Sequence, residues 1–345
     1  MNPLIQFTTT EDGVRIAYYT MGRGMPFVST SELQWSHLGT TLGFKEHYRS
    51  HSPGGLGPGL QIVRYDARGT GLSDQTAVDF SIDAQLRDLQ SVLDAVGLTS
   101  FVLFGHAHGS PLAITYAAQF PDRLSHLILS LPHARGHDLR PLAENLGLTT
   151  VEEISAEQWP GLARTMALAA FNFSPSPAAE AVAKVYRESM TPASYRAFLE
   201  WREAVDVSPL LARIAVPTLV LSRRTKTRAR VEVEVAGAIP GTRIVTNDAD
   251  EQVPGRWLGQ ETEAVLDFLG IAGVSEAEEA SGKVLTAREL EVLALLIRGL
   301  SNRLIAENLV LSERTVARHI ANIYQKTGVH GRAEVTAYAL RHRLI

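Results

Sequence analysis

At 345 residues the chain exceeds the length one hydrophobic core usually sustains, and with 45% apolar and 20% charged residues it is too apolar for a disordered chain, so one large and one small globular domain are expected. The absence of cysteine excludes disulfides and thiolate metal or redox sites. With neither a secretory leader nor about 18 consecutive apolar residues, the chain is expected to be cytoplasmic, with no membrane partner, cofactor or metal. The net charge of -4 is unevenly spread: Lys283 to Ile345 holds ten Lys and Arg against five Asp and Glu, leaving -9 on Met1 to Gly282. A basic tail on an acidic body points to a nucleic-acid contact confined to the tail.

Up to about Gly270, short β-branched or apolar runs alternate with amphipathic patterns, which predicts a mostly parallel sheet covered by helices. After a strand carrying Phe27 and Val28, strands are expected at Gln61 to Tyr65, Phe101 to Phe104, Leu127 to Ser130, Thr218 to Leu221 and Thr242 to Val245. Between His133 and Pro209 there are only helical patterns, over Val151 to Phe173 and Ala178 to Trp201, so residues 133–209 are expected to form a helical lid. Its aromatics, Trp159, Phe171, Phe173, Tyr186, Tyr195 and Trp201, suit either a pocket lining or the lid's own core. The five basic residues between Arg223 and Arg230 suit a solvated loop, or a partner for Glu276, Glu278 and Glu279 or for a DNA phosphate. The expected domains are 1–270 and 283–345, joined by a Gly, Ser, Ala and Glu-rich linker at 271–282.

Phe101 to Gly109 runs a strand into Gly105-x-x-x-Gly109 and an Ala-rich helix. Two glycines around a strand-to-helix turn are what a tight nucleophile elbow requires. Together with Arg64-Tyr65-Asp66-x-Arg68-Gly69-x-Gly71-x-Ser73-Asp74 and Phe120-Pro121-Asp122-Arg123-Leu124, this segment resembles the α/β-hydrolase family over roughly Ile5 to Leu269. The resemblance implies a nucleophile at Ala107, a His base near Gln252-Val253-Pro254 and an acid near Thr225 or Lys226, and none of these residues has the required chemistry. No histidine lies between Asp138 and Arg318, so a shifted alignment does not restore the base. Ser110, three residues into the helix, is expected to point elsewhere. The unit is therefore expected not to be an enzyme. By analogy with the family's site, Ser31, Glu32, His106, Ala107, His108 and Gln252 would line a pocket for a small, partly apolar ligand.

In the tail, Thr286-Ala287-Arg288-Glu289 reads as a capping box that opens a helix with Leu290, Leu293, Leu296 and Ile297 on its apolar face and Gly299 as its stop. Ser301 is expected to cap a second helix burying Leu304, Ile305 and Leu309. Ser312 is expected to cap a third, burying Val316, Ile320, Ile323 and Tyr324. The opposite face of the third helix offers Arg314, Ala317, Arg318 and Ala321, flanked by Thr315, His319 and Asn322, a pattern suited to a major groove. Leu285-Thr286-x-Arg288-Glu289-x-Glu291-Val292-Leu293, Gly299-x-Ser301-Asn302-x-x-Ile305-Ala306 and Ser312-x-x-Thr315-Val316-x-x-His319 resemble the LuxR-type helix-turn-helix family, over Leu285 to Ile345.

That resemblance implies contact with double-stranded DNA through Ser301, Asn302, Ser312, Arg314, Thr315, Arg318, His319 and Asn322. It also implies a fourth helix, Ala333 to Arg341, that dimerises the domain, and hence a homodimer on a pseudo-palindromic operator. Ala317 departs from the family, where many relatives carry a DNA-contacting Lys. A bare helical oligomerisation module is the alternative for this segment. The expected fold class is thus an α/β-hydrolase-like domain with a helical lid, followed by a small all-α helix-turn-helix domain. The expected function is transcription regulation modulated by an uncleaved ligand. Two alternatives stay open: an enzyme with a relocated active site tethered to DNA, and a constitutive DNA-binding protein whose hydrolase-like part only dimerises.

Overall fold

The computed structural model describes residues 3–43, 59–139, 155–170, 173, 177–223, 229–247, 258–271, 285, 287–309, 311–329 and 331–341. The chain divides into two compact units, Met1–Ile271 and Ala272–Ile345. Among the described residues no helix is long and apolar enough to cross a membrane.

The first unit is built on one eight-stranded sheet of order β1-β2-β4-β3-β5-β6-β7-β8. Its strands are β1 (Gln6–Thr9), β2 (Arg15–Gly22), β3 (Gly24–Ser29), β4 (Gly59–Tyr65), β5 (Phe101–His106), β6 (Leu124–Ser130), β7 (Thr218–Arg223) and β8 (Arg243–Asn247). β1 and β2 are antiparallel, as are β2 and β4, while every later pairing is parallel. The expected strands are present, each with bounds shifted by one to three residues. The antiparallel pair β1 and β2 had no expectation, because Arg15-Ile16-Ala17-Tyr18-Tyr19 mixes polar and aromatic residues instead of forming an aliphatic run.

β5 is buried along its whole length because both faces of the sheet are covered. On one face Leu103, Leu127, Leu129 and Val220 pack with α2 (Ile82–Val96) and α3 (Ser110–Gln119) in the largest apolar cluster. On the other, Val102, Phe104, Ile128 and Leu219 meet Val265 and Leu269 from α8 (Leu258–Phe268) and its end. Between them in sequence come α4 (Trp159–Ala170), α5 (Pro177–Ser189), α6 (Pro192–Ala204) and α7 (Ala229–Ala238), after the short α1 (Leu38–Gly43) near the start. α4, α5 and α6 fall inside the expected lid, and its described residues contain no strand.

The base of that insertion is closed by a bridge between Arg135 and Asp206, by Gly136 N donating to Val205 O (2.9 Å) and by Val207 N donating to Ala134 O (2.8 Å). Trp159, Tyr186, Tyr195 and Trp201 are buried in the main cluster, so they serve as lid core. Phe173 is exposed, and Phe171 lies outside the described residues.

The motif after β4 has a physical reason. The Asp66 carboxylate is fully buried and accepts from Leu38 N (3.0 Å), Leu72 N (2.8 Å) and Ser36 Oγ (2.7 Å). A Cβ at Gly71 would lie 2.2 Å from Asp66 Oδ2, and its φ of +53° suits glycine, so the turn closes only around that residue. Two residues after Asp66, Arg68 bridges Asp12 (2.8 Å) and Asp88 (2.8 Å) with 3% of its side chain exposed. Arg68→Ala leaves Asp88 buried without its cation, and should cost about 3–5 kcal/mol in urea unfolding at pH 7. The loss should shrink at pH 5: burial already pushes Asp88 up to about 6 with Arg68 in place, and a protonated carboxyl tolerates burial.

Candidate ligand site and nucleic-acid interface

β5 delivers the chain to Ala107, whose φ of +43° is left-handed, and a tight turn over Ala107–Gly109 leads into α3. A non-glycine residue there carries on the order of 1–2 kcal/mol of backbone strain. The two flanking glycines are required by close approach. A Cβ at Gly105 would lie 2.7 Å from Ala113 Cβ, and one at Gly109 would lie 2.2 Å from Thr30 Oγ1. Thr30 ties the turn to the loop after β3, with its hydroxyl 3.2 Å from both Phe104 O and Gly109 O. The geometry that presents a nucleophile is therefore present, with a methyl group where the nucleophile would stand.

The groups around Ala107 come from the carboxyl ends of adjacent strands, where open α/β sheets bind ligands. Ser31 is buried, and its Oγ accepts from Leu33 N (3.3 Å) and Ala67 N (3.3 Å), so it shapes the loop. Glu32 is buried beside it, and desolvation pushes its carboxyl up to about 7 against the opposing pull of Arg64. His106 is buried, with Nδ1 3.1 Å from Ser130 Oγ at the end of β6. His108 meets His133 and Phe198 of α6 edge-on, with ring centroids 5.3 and 5.0 Å apart, so the lid rests on the elbow.

The Ser110 hydroxyl is held by Ala107 O (2.6 Å) and accepts from His133 N (3.1 Å), which commits it to the backbone. Gln252 lies outside the described residues, as do Thr225 and Lys226. Sequence patterning did not single out Arg64, His133 or Phe198 as site residues. His133 and Phe198 reach His108, and the charge of Arg64 acts on Glu32, across long chain separations, and only the hydrolase-like motif around Arg64 hinted at one of them.

Burial raises the folded-state pKa of Glu32, so the stability associated with its neutral form is present at low pH and lost as pH rises through about 7. Glu32→Gln should therefore be more stable than the parent to urea at pH 8, by roughly 3 kcal/mol at most, and nearly match it at pH 5. Equal differences at both pH values would show that Glu32 does not bear this cost.

In the second unit, α9 (Ala287–Ile297), α10 (Asn302–Leu309), α11 (Glu313–Thr327) and α12 (Arg332–Arg341) surround Val292, Leu293, Leu296, Ile305, Val316, Ile320, Ile323 and Val335. Leu304 corrects the expected core: it is 41% exposed, because Ile305, Ala306 and Leu309 take the inward stripe of α10. Thr286 lies outside the described residues, and the Glu289 carboxylate accepts from Lys326 Nζ of α11 (2.9 Å), with 3% of the Glu289 side chain exposed. Ser301 Oγ accepts from Leu304 N (3.3 Å) and Ser312 Oγ from Thr315 N (3.1 Å), so both hydroxyls cap helices.

Along α11, Arg314, Ala317, Arg318 and Ala321 are exposed, and Thr315, His319 and Asn322 are half-buried beside them. Neither Arg314 nor Arg318 has an ion-pair partner among the described residues, so both are open to an external anion. Asn302 is half-buried, and its Oδ1 accepts from Arg332 Nη2 (2.7 Å). The pairing of Lys326 with Glu289 and the contact of Arg332 with Asn302 were not legible in the sequence, because each joins residues thirty or more positions apart.

Residues 283–339 match the family model of bacterial regulatory proteins, luxR family, and residues 42–200 match that of the alpha/beta hydrolase fold. The chain is 47% identical over 62 residues to the Fimbriae Z protein of Escherichia coli (strain K12), a match covering 18% of this chain and 30% of that protein. It is 43% identical over 82 residues to the nitrate/nitrite response regulator protein NarP of the same strain, covering 24% of this chain and 38% of that one. The chain thus spans about a third of the length of these curated relatives. The enol-lactonase from Burkholderia xenovorans LB400 superposes with a TM-score of 0.61 at 21% identity, over 77% of this chain and 100% of that one, a likeness of fold alone. The chain carries a luxR-family helix-turn-helix segment at its C-terminal end, preceded by a unit of α/β-hydrolase fold.

Proposed function

We propose that this protein is a DNA-binding transcription regulator acting in the cytoplasm as a homodimer, and that its hydrolase-fold unit binds a small, partly apolar molecule without cleaving it and so modulates DNA binding. The DNA part is supported by the exposed face of α11, where Arg314 and Arg318 stand on either side of Ala317. Small residues between arginines let a helix approach base edges closely enough for a guanidinium to reach guanine O6 and N7. The observation that carries the ligand part is the methyl of Ala107 at the summit of a strained elbow. Strain at such a turn persists where the surroundings over-determine it. Here it is retained without chemistry to serve, as a binding surface would require.

Selection of duplexes from a random pool by the full chain, followed by footprinting, tests the DNA part. Two half-sites about 10 base pairs apart are expected. Arg318→Ala should lower affinity for the selected site by about 1–3 kcal/mol and broaden the bases accepted there. A single half-site bound at saturation would contradict the dimer.

For the ligand part, a thermal-shift screen of hydrophobic small molecules should yield a compound that raises the melting temperature and alters DNA affinity by about 5 to 150-fold. Ala107→Trp should abolish both effects. A well-folded Ala107→Trp protein that still responds would place the ligand elsewhere. The imidazole–hydroxyl pair nearest the elbow, His106 with Ser130, lies under a nearly closed surface, since Ser130 is 1% exposed. Sustained turnover of a p-nitrophenyl ester that is lost in Ser130→Ala would overturn the non-enzymatic reading.

A further inference from the structure

Arg332 stands at the start of α12, yet its guanidinium reaches back to the turn between α9 and α10. Nη1 donates to Leu300 O (2.7 Å) and Nη2 donates to Asn302 Oδ1 (2.7 Å). A guanidinium has donors and no acceptor, so the group facing it must be the amide oxygen of Asn302, which settles the orientation of that carboxamide. Rotated this way, the Asn302 Nδ2 hydrogens are directed away from Arg332. No acceptor for them is found among the described residues, and the side chain is only half-buried. The cation also polarises the amide it binds, which strengthens Nδ2 as a donor.

We propose that Arg332 is a positioning residue for DNA: it holds the Asn302 carboxamide so that Nδ2 is offered to a phosphate oxygen of the duplex backbone. The inference rests on the DNA-binding reading above. A phosphate is the fitting acceptor because α10 is the first helix of the helix-turn-helix, the one that crosses the backbone while α11 lies in the groove. The fork geometry matters. Leu300 O and Asn302 Oδ1 are satisfied together by two nitrogens of one planar group, which a lysine ammonium on a flexible stem does not reproduce.

Phosphate contacts are independent of sequence, so a 24-base-pair duplex of arbitrary sequence serves as the probe, with the full chain titrated by fluorescence anisotropy at several salt concentrations. Asn302→Ala should weaken binding about fivefold, the order of one hydrogen bond. Arg332→Lys keeps the charge and should cause a similar loss with no change in the slope of log Kd against log salt. In the double variant the two losses should not multiply. Asn302→Asp is the decisive control: it keeps an acceptor for Arg332 and hence the fold, with a melting temperature no lower than the parent's, but it removes the donor and should bind at least as poorly as Asn302→Ala. If Arg332→Lys binds like the parent, if its loss multiplies with that of Asn302→Ala, or if Asn302→Asp binds normally, Arg332 serves the fold alone and the proposal fails. A parent chain that binds no duplex would overturn the DNA-binding reading itself, and this inference with it.

Discussion

The first unit depends on the close approach of the β5 to α3 turn to the loop after β3. Gly105 and Gly109 have no room for a side chain, and Thr30 lies within reach of the carbonyls on both sides of the turn. This contact brings the carboxyl ends of β3 and β5 together and sets Ala107 in a left-handed conformation. Because the turn is held by backbone and by Thr30 rather than by the residue at its tip, the tip can lose its reactive group without losing its shape. The geometry of the turn is thus separable from the chemistry of the residue at its tip.

Polar groups inside this unit differ in how they are accommodated. Asp66 and Arg68 are surrounded by partners and organise the loop that follows β4. Glu32 is buried with an opposing charge nearby but no hydrogen bond to its carboxyl among the described residues, and its raised pKa reflects that desolvation. A group held at such a cost in a site region is a candidate for an interaction completed only by a bound molecule.

The second unit has a small core, and small cores leave little margin. Its four helices are joined by polar links as well: Lys326 to Glu289, Arg288 to Leu309 O, and Arg332 to Leu300 O. Each joins residues more than twenty positions apart through a long cationic side chain. The same arrangement leaves Arg314 and Arg318 outside these links, so the residues that hold the fold are distinct from those exposed on α11.

The amino-acid sequence by itself determined the local patterns. The aliphatic runs of β4 to β8, the helical insertion between β6 and β7, the caps at Ser301 and Ser312 and the glycine-flanked turn at Ala107 all follow from residue type and spacing over a few positions. Sequence also showed that Ala107 has no nucleophile. Tertiary structure alone decided which polar groups meet. That His106 faces Ser130, that His108 lies against His133 and Phe198, that Ser31 shapes its loop, and that Arg332 holds Asn302 are contacts between residues brought together by packing. The exposure of Leu304 has the same origin. Helical period defines an apolar stripe on α10, but only the positions of α9 and α11 select which edge of that stripe is buried, because a short helix can turn about its axis until its neighbours close around it.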